Sequence, residues 1–463
     1  MTTTSQLTEK CAVAGVWGSA VAAEKTRDML EALQHRGQDA TGVVTLNGGM
    51  SRYVELGLVA DAYPQAVLEE LVGDIAIGHN RYATSSHAHD LEHVQPFADE
   101  DAQWALAHNG NLSVTKPLVE FLNEKNVAID DLNDSGMMHA AIGWYLRAGS
   151  SMEDAVAKSY PLFVGAFSCV AICEGKLLAF RDGHGIRPLS YGKLPGGGYA
   201  VASETRALDA LGAVEQADIG PGELLVVDEN GARTVAIVEP TPKLDIFELV
   251  YFARGDSRLC GRVVEDIRRD FGAQLARECP VEGEAIVVPV PRSAVSAAEG
   301  YAQVSGHVYA DGIERANRLR TFIRPDQESR KMAVRQKLIP KPEVLGGKRV
   351  VLIEDSIVRG TTLGVLVAML REAGASEVHV RISSPPVLYP NFYGINMPSQ
   401  SELIAHGRTV NDVCEKIGAD SLGYLSVEGM LQATGQPADT FDTSVFTGEY
   451  PIDIGDHQNE ITR

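Results

Sequence analysis

The chain has 463 residues, enough for two or three domains with more than one buried core. Its 41 Lys and Arg face 62 Asp and Glu, a formal net charge of -21, so its field repels nucleic-acid backbones and anionic membranes, and an anionic substrate must be held by local groups. No apolar run reaches the roughly 18–20 residues of a membrane span, the first ten residues lack an apolar signal core, and the six cysteines form no paired framework, so a cytoplasmic protein is expected.

A short polar leader, residues 1–10, precedes Cys11. If the leader is removed, Cys11 gains an α-amine that can act as general base for its own thiol. Strands are expected at 43–46, 75–77, 104–107, 169–172, 177–180 and 224–227, with helices at 22–33, 62–71 and 135–147. Within the run 167–173 a strand sets Cys169 and Cys173 on one face as small core hydrophobes. Pro240 and Pro242 mark a linker. Beyond them, strands at 285–290, 349–353 and 378–382 alternate with helices at 293–305 and 362–373, the rhythm of a parallel sheet with crossover helices. The segment after Tyr450 reads as a flexible tail. The expected division is a cleaved propeptide at 1–10, domains at 11–240 and 241–450, and a tail at 451–463.

Four fragments of the first half carry chemistry. They are Cys11 with Leu33-Gln34-His35-Arg36-Gly37-Gln38-Asp39, then Gly78-His79-Asn80-Arg81-Tyr82-Ala83-Thr84, His108-Asn109-Gly110-Asn111-Leu112 and Asn133-Asp134-Ser135. In order and spacing they resemble the glutamine-hydrolysing domain of class II, N-terminal-nucleophile amidotransferases. The resemblance continues through Arg181-Asp182-Gly183-His184-Gly185-Ile186-Arg187-Pro188-Leu189 and Ala202-Ser203-Glu204-Thr205. In the second half, the apolar run 350–353 leads into Glu354-Asp355-Ser356-Ile357-Val358-Arg359-Gly360-Thr361-Thr362, which looks like the phosphoribosyl-pyrophosphate (PRPP) loop of type I phosphoribosyltransferases. From Cys11 to about Tyr450 the chain resembles the glutamine PRPP amidotransferases.

The resemblance implies an α/β protein: an αββα N-terminal-nucleophile sandwich followed by a phosphoribosyltransferase parallel sheet with flanking helices. It implies a first step of purine synthesis in which Cys11 attacks the amide of glutamine and the released ammonia reaches PRPP through an internal channel. The Asn109 side chain and Gly110 N–H would form the oxyanion hole, with Arg36, Arg81 and Asp134 as glutamine-binding residues. A guanidinium suits the α-carboxylate and a carboxylate suits the α-ammonium. Acids at the end of a parallel strand can hold ribose hydroxyls, and hydroxyls and N–H groups at a helix start can cradle a phosphate. Glu354, Asp355, Ser356, Val358, Arg359, Gly360, Thr361 and Thr362 would thus bind PRPP, joined by Ser293, Arg330 and Lys337. Mg²⁺ would accompany the pyrophosphate, with Glu354 and Asp355 as its ligands. Purine nucleotides would act as feedback inhibitors, and a homotetramer or homodimer is expected.

The sequence departs from the family in places. Ala12 and Val13 follow Cys11 where glycine is usual, and the segment after Asp134, Ser135-Gly136-Met137-Met138, lacks the acid usual near Gly136. The pyrophosphate turn reads Pro291-Arg292-Ser293-Ala294, replacing an acid and a hydroxyl, and the flap beginning Asn317-Arg318-Leu319 is shorter by two. Where one branch carries four cysteine ligands this chain has Asp245, Asn391, Asp442 and Val445, so no iron–sulfur cluster is expected. These changes leave two alternatives: a paralogue acting on a modified phosphosugar, or a PRPP- or nucleotide-sensing protein with a degenerate transferase site.

Overall fold

A computed structural model describes residues 11–82, 91–101, 103–316, 332, 334–395, 397 and 399–461. The leader, the flap residues 317–323 and Arg330 lie outside the described residues. In the first half the strands are β1 (Ala12–Trp17), β2 (Ala40–Leu46), β3 (Met50–Leu56), β4 (Ile75–Arg81), β5 (Phe97–Asp99), β6 (Trp104–Val114) and β7 (Val164–Cys173). They continue with β8 (Lys176–Arg181), β9 (Ser190–Lys193), β10 (Tyr199–Ala202), β11 (Val214–Asp218), β12 (Glu223–Asp228) and β13 (Gly231–Ala236). One antiparallel sheet runs β11-β9-β10-β1-β4-β2-β3, the other β13-β12-β8-β7-β6-β5.

The two-residue period of a strand explains how these sheets stack. Val13, Val44 and Ile77 of the first sheet meet Ala107, Val170 and Leu177 of the second in a shared core. From the opposite face of β1, Ala12, Ala14 and Val16 pack on Met29 and Leu30 of the helix Ala22–Ala32. Leu106, Phe167, Cys169, Cys173 and Phe180 face Met138, Ala141 and Ile142 of the helix Asp134–Arg147. The result is the expected helix–sheet–sheet–helix sandwich, and strands buried on both faces read as nearly unbroken apolar runs.

The segment expected as one helix at 62–71 is two, Val59–Ala62 and Gln65–Glu70. Pro64 lies between them, and a proline disfavours helical backbone in the residue before it. The segment expected as a linker is held to the first half: Thr241 N donates to Gly183 O (2.8 Å) and Lys243 N to His184 O (2.7 Å).

The second half adds β14 (Leu244–Asp245), β15 (Arg258–Leu259), β16 (Arg262–Val263), β17 (Ile286–Pro289), β18 (Val308–Tyr309), β19 (Ile313–Arg315) and β20 (Leu338–Pro340). It closes with β21 (Arg349–Glu354), β22 (Glu377–Ile382), β23 (Ser421–Tyr424) and β24 (Phe441–Asp442). A parallel sheet runs β18-β17-β21-β22-β23. Helices Val264–Glu278 and Val295–Ser305 cover one face, helices Thr361–Glu372 and Val410–Ile417 the other. Chain order leaves β17 toward β18 on one side and β21 toward β22 on the other. The carboxyl ends of β17 and β21 therefore flank the topological switch point, where open α/β sheets bind ligands.

The segment after Tyr450, expected to be flexible, contains a 3₁₀ turn at Gly455–Glu460 and packs Ile454 with Ala166, Phe392 and Tyr393. Among the described residues no helix is long and apolar enough to cross a membrane.

Candidate active site

Cys11 leads directly into β1, whose Ala12 pairs with Asn80 of β4. Extending that register by one residue sets Cys11 opposite Arg81 at the end of β4. Gly37 closes over this strand end, since a Cβ on it would lie 2.9 Å from the Arg81 backbone nitrogen. Across the sandwich, β6 packs on both β1 and β4 and carries Asn109 and Gly110. The Asn109 side chain is buried, and its Nδ2 has no hydrogen-bond partner among the described residues. Such a dry, unengaged donor costs free energy unless a ligand answers it. Gly110 lies at φ 155°, and a Cβ there would come within 2.0 Å of the Ala166 carbonyl oxygen.

Asp134 begins the helix behind this turn; its Oδ2 accepts from Leu112 N (3.2 Å), while Asn133 caps the helix through Gly136 N (2.8 Å). His108 is a support that sequence reasoning quoted without assigning a role. Its Nδ1 meets Ser135 Oγ at 2.9 Å, and its backbone N donates to Gln95 Oε1 (2.6 Å). Burial holds the His108 pKa below the ordinary value despite the nearby Asp134 carboxylate. The structure thus groups Asn109, Gly110 and Asp134 on one side and Cys11 with Arg81 on the facing strands.

Arg36 is the remaining residue expected to bind glutamine. It is fully buried and pairs with Glu204 and with Glu248, whose Oε2 lies 2.5 Å from Nη2. A guanidinium out of water requires compensating charge, which these carboxylates supply. Glu248 also accepts from Arg187 Nη1 (3.1 Å), and Glu204 from Ser257 Oγ (2.6 Å) and Arg254 N (2.9 Å). Arg36 therefore joins the two halves of the chain.

At the switch point, Glu354 ends β21 and Asp355 is buried beside it. Ser356 Oγ donates to Asp355 Oδ1 (2.6 Å), and Ser293, from the turn after β17, hydrogen-bonds into the acid pair. Burial raises the pKa of both acids, and for Glu354 the adjacent Asp355 charge adds to it. Such a pair invites hydroxyl donors or a hard cation. Gly360 caps the helix Thr361–Glu372 at φ 75°, and the loop is fastened by Ile404 N donating to Val358 O (2.8 Å). Arg359 pairs with Glu402 (3.2 Å). Arg292 is exposed at the crevice, whereas Ala294 is buried in the apolar cluster beneath it. Lys337 is exposed on the segment leading into β20, its carbonyl accepting from Ala316 N (3.0 Å). Arg335 lines a cavity with Arg359, Gly360 and Thr361 and pairs through both Nη atoms with Glu372 at 2.8 and 2.7 Å. Among the described residues no group of three or more His, Cys, Asp and Glu could hold a metal ion.

An N-terminal-nucleophile sandwich with a dry amide donor, joined to a phosphoribosyltransferase sheet with paired acids at its switch point, defines a two-site glutamine-dependent transferase. A glutamine amidotransferase domain model matches residues 65–225. The amidophosphoribosyltransferase of Mycobacterium leprae (strain TN) is 44% identical over 462 residues, covering 96% of this chain and 82% of that protein. A solved glutamine PRPP amidotransferase from B. subtilis, complexed with ADP and GMP, superposes with a TM-score of 0.88 at 38% identity, covering 96% of this chain and 98% of that one. A second, described as the allosteric regulatory enzyme of purine biosynthesis, gives 0.89 at 37% identity, covering 96% and 97%. The chain belongs to the amidophosphoribosyltransferase family of enzymes.

Proposed function

We propose that the protein makes 5-phosphoribosylamine from PRPP, glutamine and water, releasing glutamate and pyrophosphate as the first step of purine synthesis. The observation that supports this most strongly is the buried Asn109 amide, whose Nδ2 has no partner among the described residues, beside Gly110, a donor pair suited to the oxyanion of an attacked amide. Cys11 is the nucleophile, its freed α-amine the proton carrier, and Arg81 and Asp134 hold the charged ends of glutamine. Arg36 acts behind the pocket.

Glu354 and Asp355 receive the ribose hydroxyls, and Ser356, Val358, Arg359, Gly360, Thr361 and Thr362 wrap the 5′-phosphate, with Ser293 and Lys337 at the rim. The donor set fits Mg²⁺: two carboxylates on one strand end leave the other positions of an oxygen shell to pyrophosphate and water. Because few protein acids converge there, the ion would be held together with substrate. Mg²⁺ would neutralise the departing pyrophosphate. Feedback by purine nucleotides, a homo-oligomeric state and a cytoplasmic location are parts of the same proposal. The site 1–10 leader would be removed before the enzyme works.

The test is pyrophosphate release from PRPP with Mg²⁺, using glutamine or ammonia, with glutamate followed in parallel. One pyrophosphate per glutamate is expected. Glutamate without PRPP-dependent pyrophosphate would reject the assigned acceptor.

A further inference from the structure

The two halves meet at Gly110 as well as at Arg36. Gly394, at φ 96° in the second half, packs so closely that a Cβ on it would sit 3.0 Å from the Gly110 carbonyl carbon. Its turn is held from three directions. Arg187 Nη2 donates to Gly394 O (2.9 Å). Asn391 Oδ1 accepts from Tyr393 N (2.8 Å) and Ile395 N (3.3 Å), folding the turn on itself. Asn111, the residue after Gly110, donates through Nδ2 to Phe392 O (2.8 Å).

The anchors are themselves buried and fixed. Asp245 Oδ2 accepts from both Arg187 Nη1 and Asn391 Nδ2 at 3.4 Å, and Arg187 leans on Glu248. Gly110 is also hemmed in by its own sheet, since a Cβ on it would lie 2.0 Å from the Ala166 carbonyl oxygen of β7. The backbone of Gly110 is therefore clamped between its own sheet and the 391–395 turn.

We propose that the 391–395 turn is the rear wall of the oxyanion pocket, with Arg187 and Asn391 as positioning residues that fix the Gly110 backbone. This rests on the reading of Asn109 and Gly110 as the oxyanion donors. A donor displaced by a fraction of an ångström loses its hold on the transition state while leaving ground-state glutamine binding intact. Ammonia-dependent synthesis bypasses the pocket and reports separately on the fold and the transferase half.

The experiment uses the full chain and compares glutamine- and ammonia-dependent pyrophosphate release in N391A, G394A and R187K. Glutamine-dependent kcat should fall about 100-fold, with KM for glutamine and the ammonia-dependent rate changed by less than about two-fold. Gly149 has a comparable φ of 85° and no atom within 4 Å of an added Cβ, so G149A controls for backbone strain and should leave the glutamine rate unchanged. Unchanged glutamine turnover in N391A and G394A, or a parallel loss of both activities, would overturn the proposal. N109A with full glutamine turnover would overturn the oxyanion reading itself, a separate result.

Discussion

At Asn109 a primary amide is buried with no partner for its Nδ2 among the described residues, which is a destabilising arrangement for folding alone. An Asn109→Ala variant should therefore lose little stability. Its glutamine-dependent kcat should drop about 10²–10³-fold, the usual effect of deleting one oxyanion donor. Steady-state kinetics with glutamine and with ammonia separate this from a loss of fold. Asp442 makes a different prediction. Burial, with Asp245 nearby, pushes its pKa up from 3.8 to about 7. The folded state then binds more protons than the unfolded state between those values, so stability is present at low pH and lost as pH rises toward 7. The slope from this group is about 1.4 kcal/mol per pH unit. Asp442→Asn keeps an oxygen for the Ser444 N–H and removes the titration. Its urea midpoint should overtake that of the wild type as pH rises from about 5 to about 7.5, and equal pH slopes in the two proteins would dismiss the assignment.

Among the elements, the loop after β21 shows how little freedom the phosphate cradle has. Gly360 sits at φ 75°, and a Cβ on it would lie 2.1 Å from Ile404 Cδ1. Gly360→Ala must shift either the loop or Ile404 at a cost of about 1–3 kcal/mol. The KM for PRPP should rise about ten-fold or more on that basis, with hydrolysis of glutamine retained in assays of glutamate release. This loop was legible in the sequence because its apolar strand, acid pair and hydroxyl-rich turn are contiguous. Most strands were legible for the same local reason: runs such as Cys169–Ile172 are buried on both sides and show it in composition. Pro64 was a visible breaker that the apolar pattern at 62–71 overrode. The order of the last residues could not be read locally, since Ile454 is buried only by partners far along the chain. Likewise the Gly394 turn bears no motif, and its role emerges only where it touches Gly110.

For the whole molecule, charge and architecture pull in opposite directions. A chain with net charge -21 repels itself, yet its two halves are joined by buried groups of both signs. Arg36 reaches Glu248 across 212 residues of sequence, and Glu248 also holds Arg187, whose second Nη nitrogen holds Gly394. This continuity makes the halves one cooperative unit, and calorimetry of the wild type should show a single unfolding transition. Arg36→Met keeps much of the volume but leaves Glu204 and Glu248 buried with less compensating charge. The expected loss is about 3–5 kcal/mol, the usual effect of removing one partner from a buried pair. Because the loss falls on the seam, the single transition should split into two, with the glutamine-dependent rate failing before the ammonia-dependent rate on heating. Adding Glu204→Gln and Glu248→Gln removes the stranded charge and should restore part of the stability without restoring the coupling. A single, unshifted transition in Arg36→Met would mean that the halves are held together by apolar contact alone.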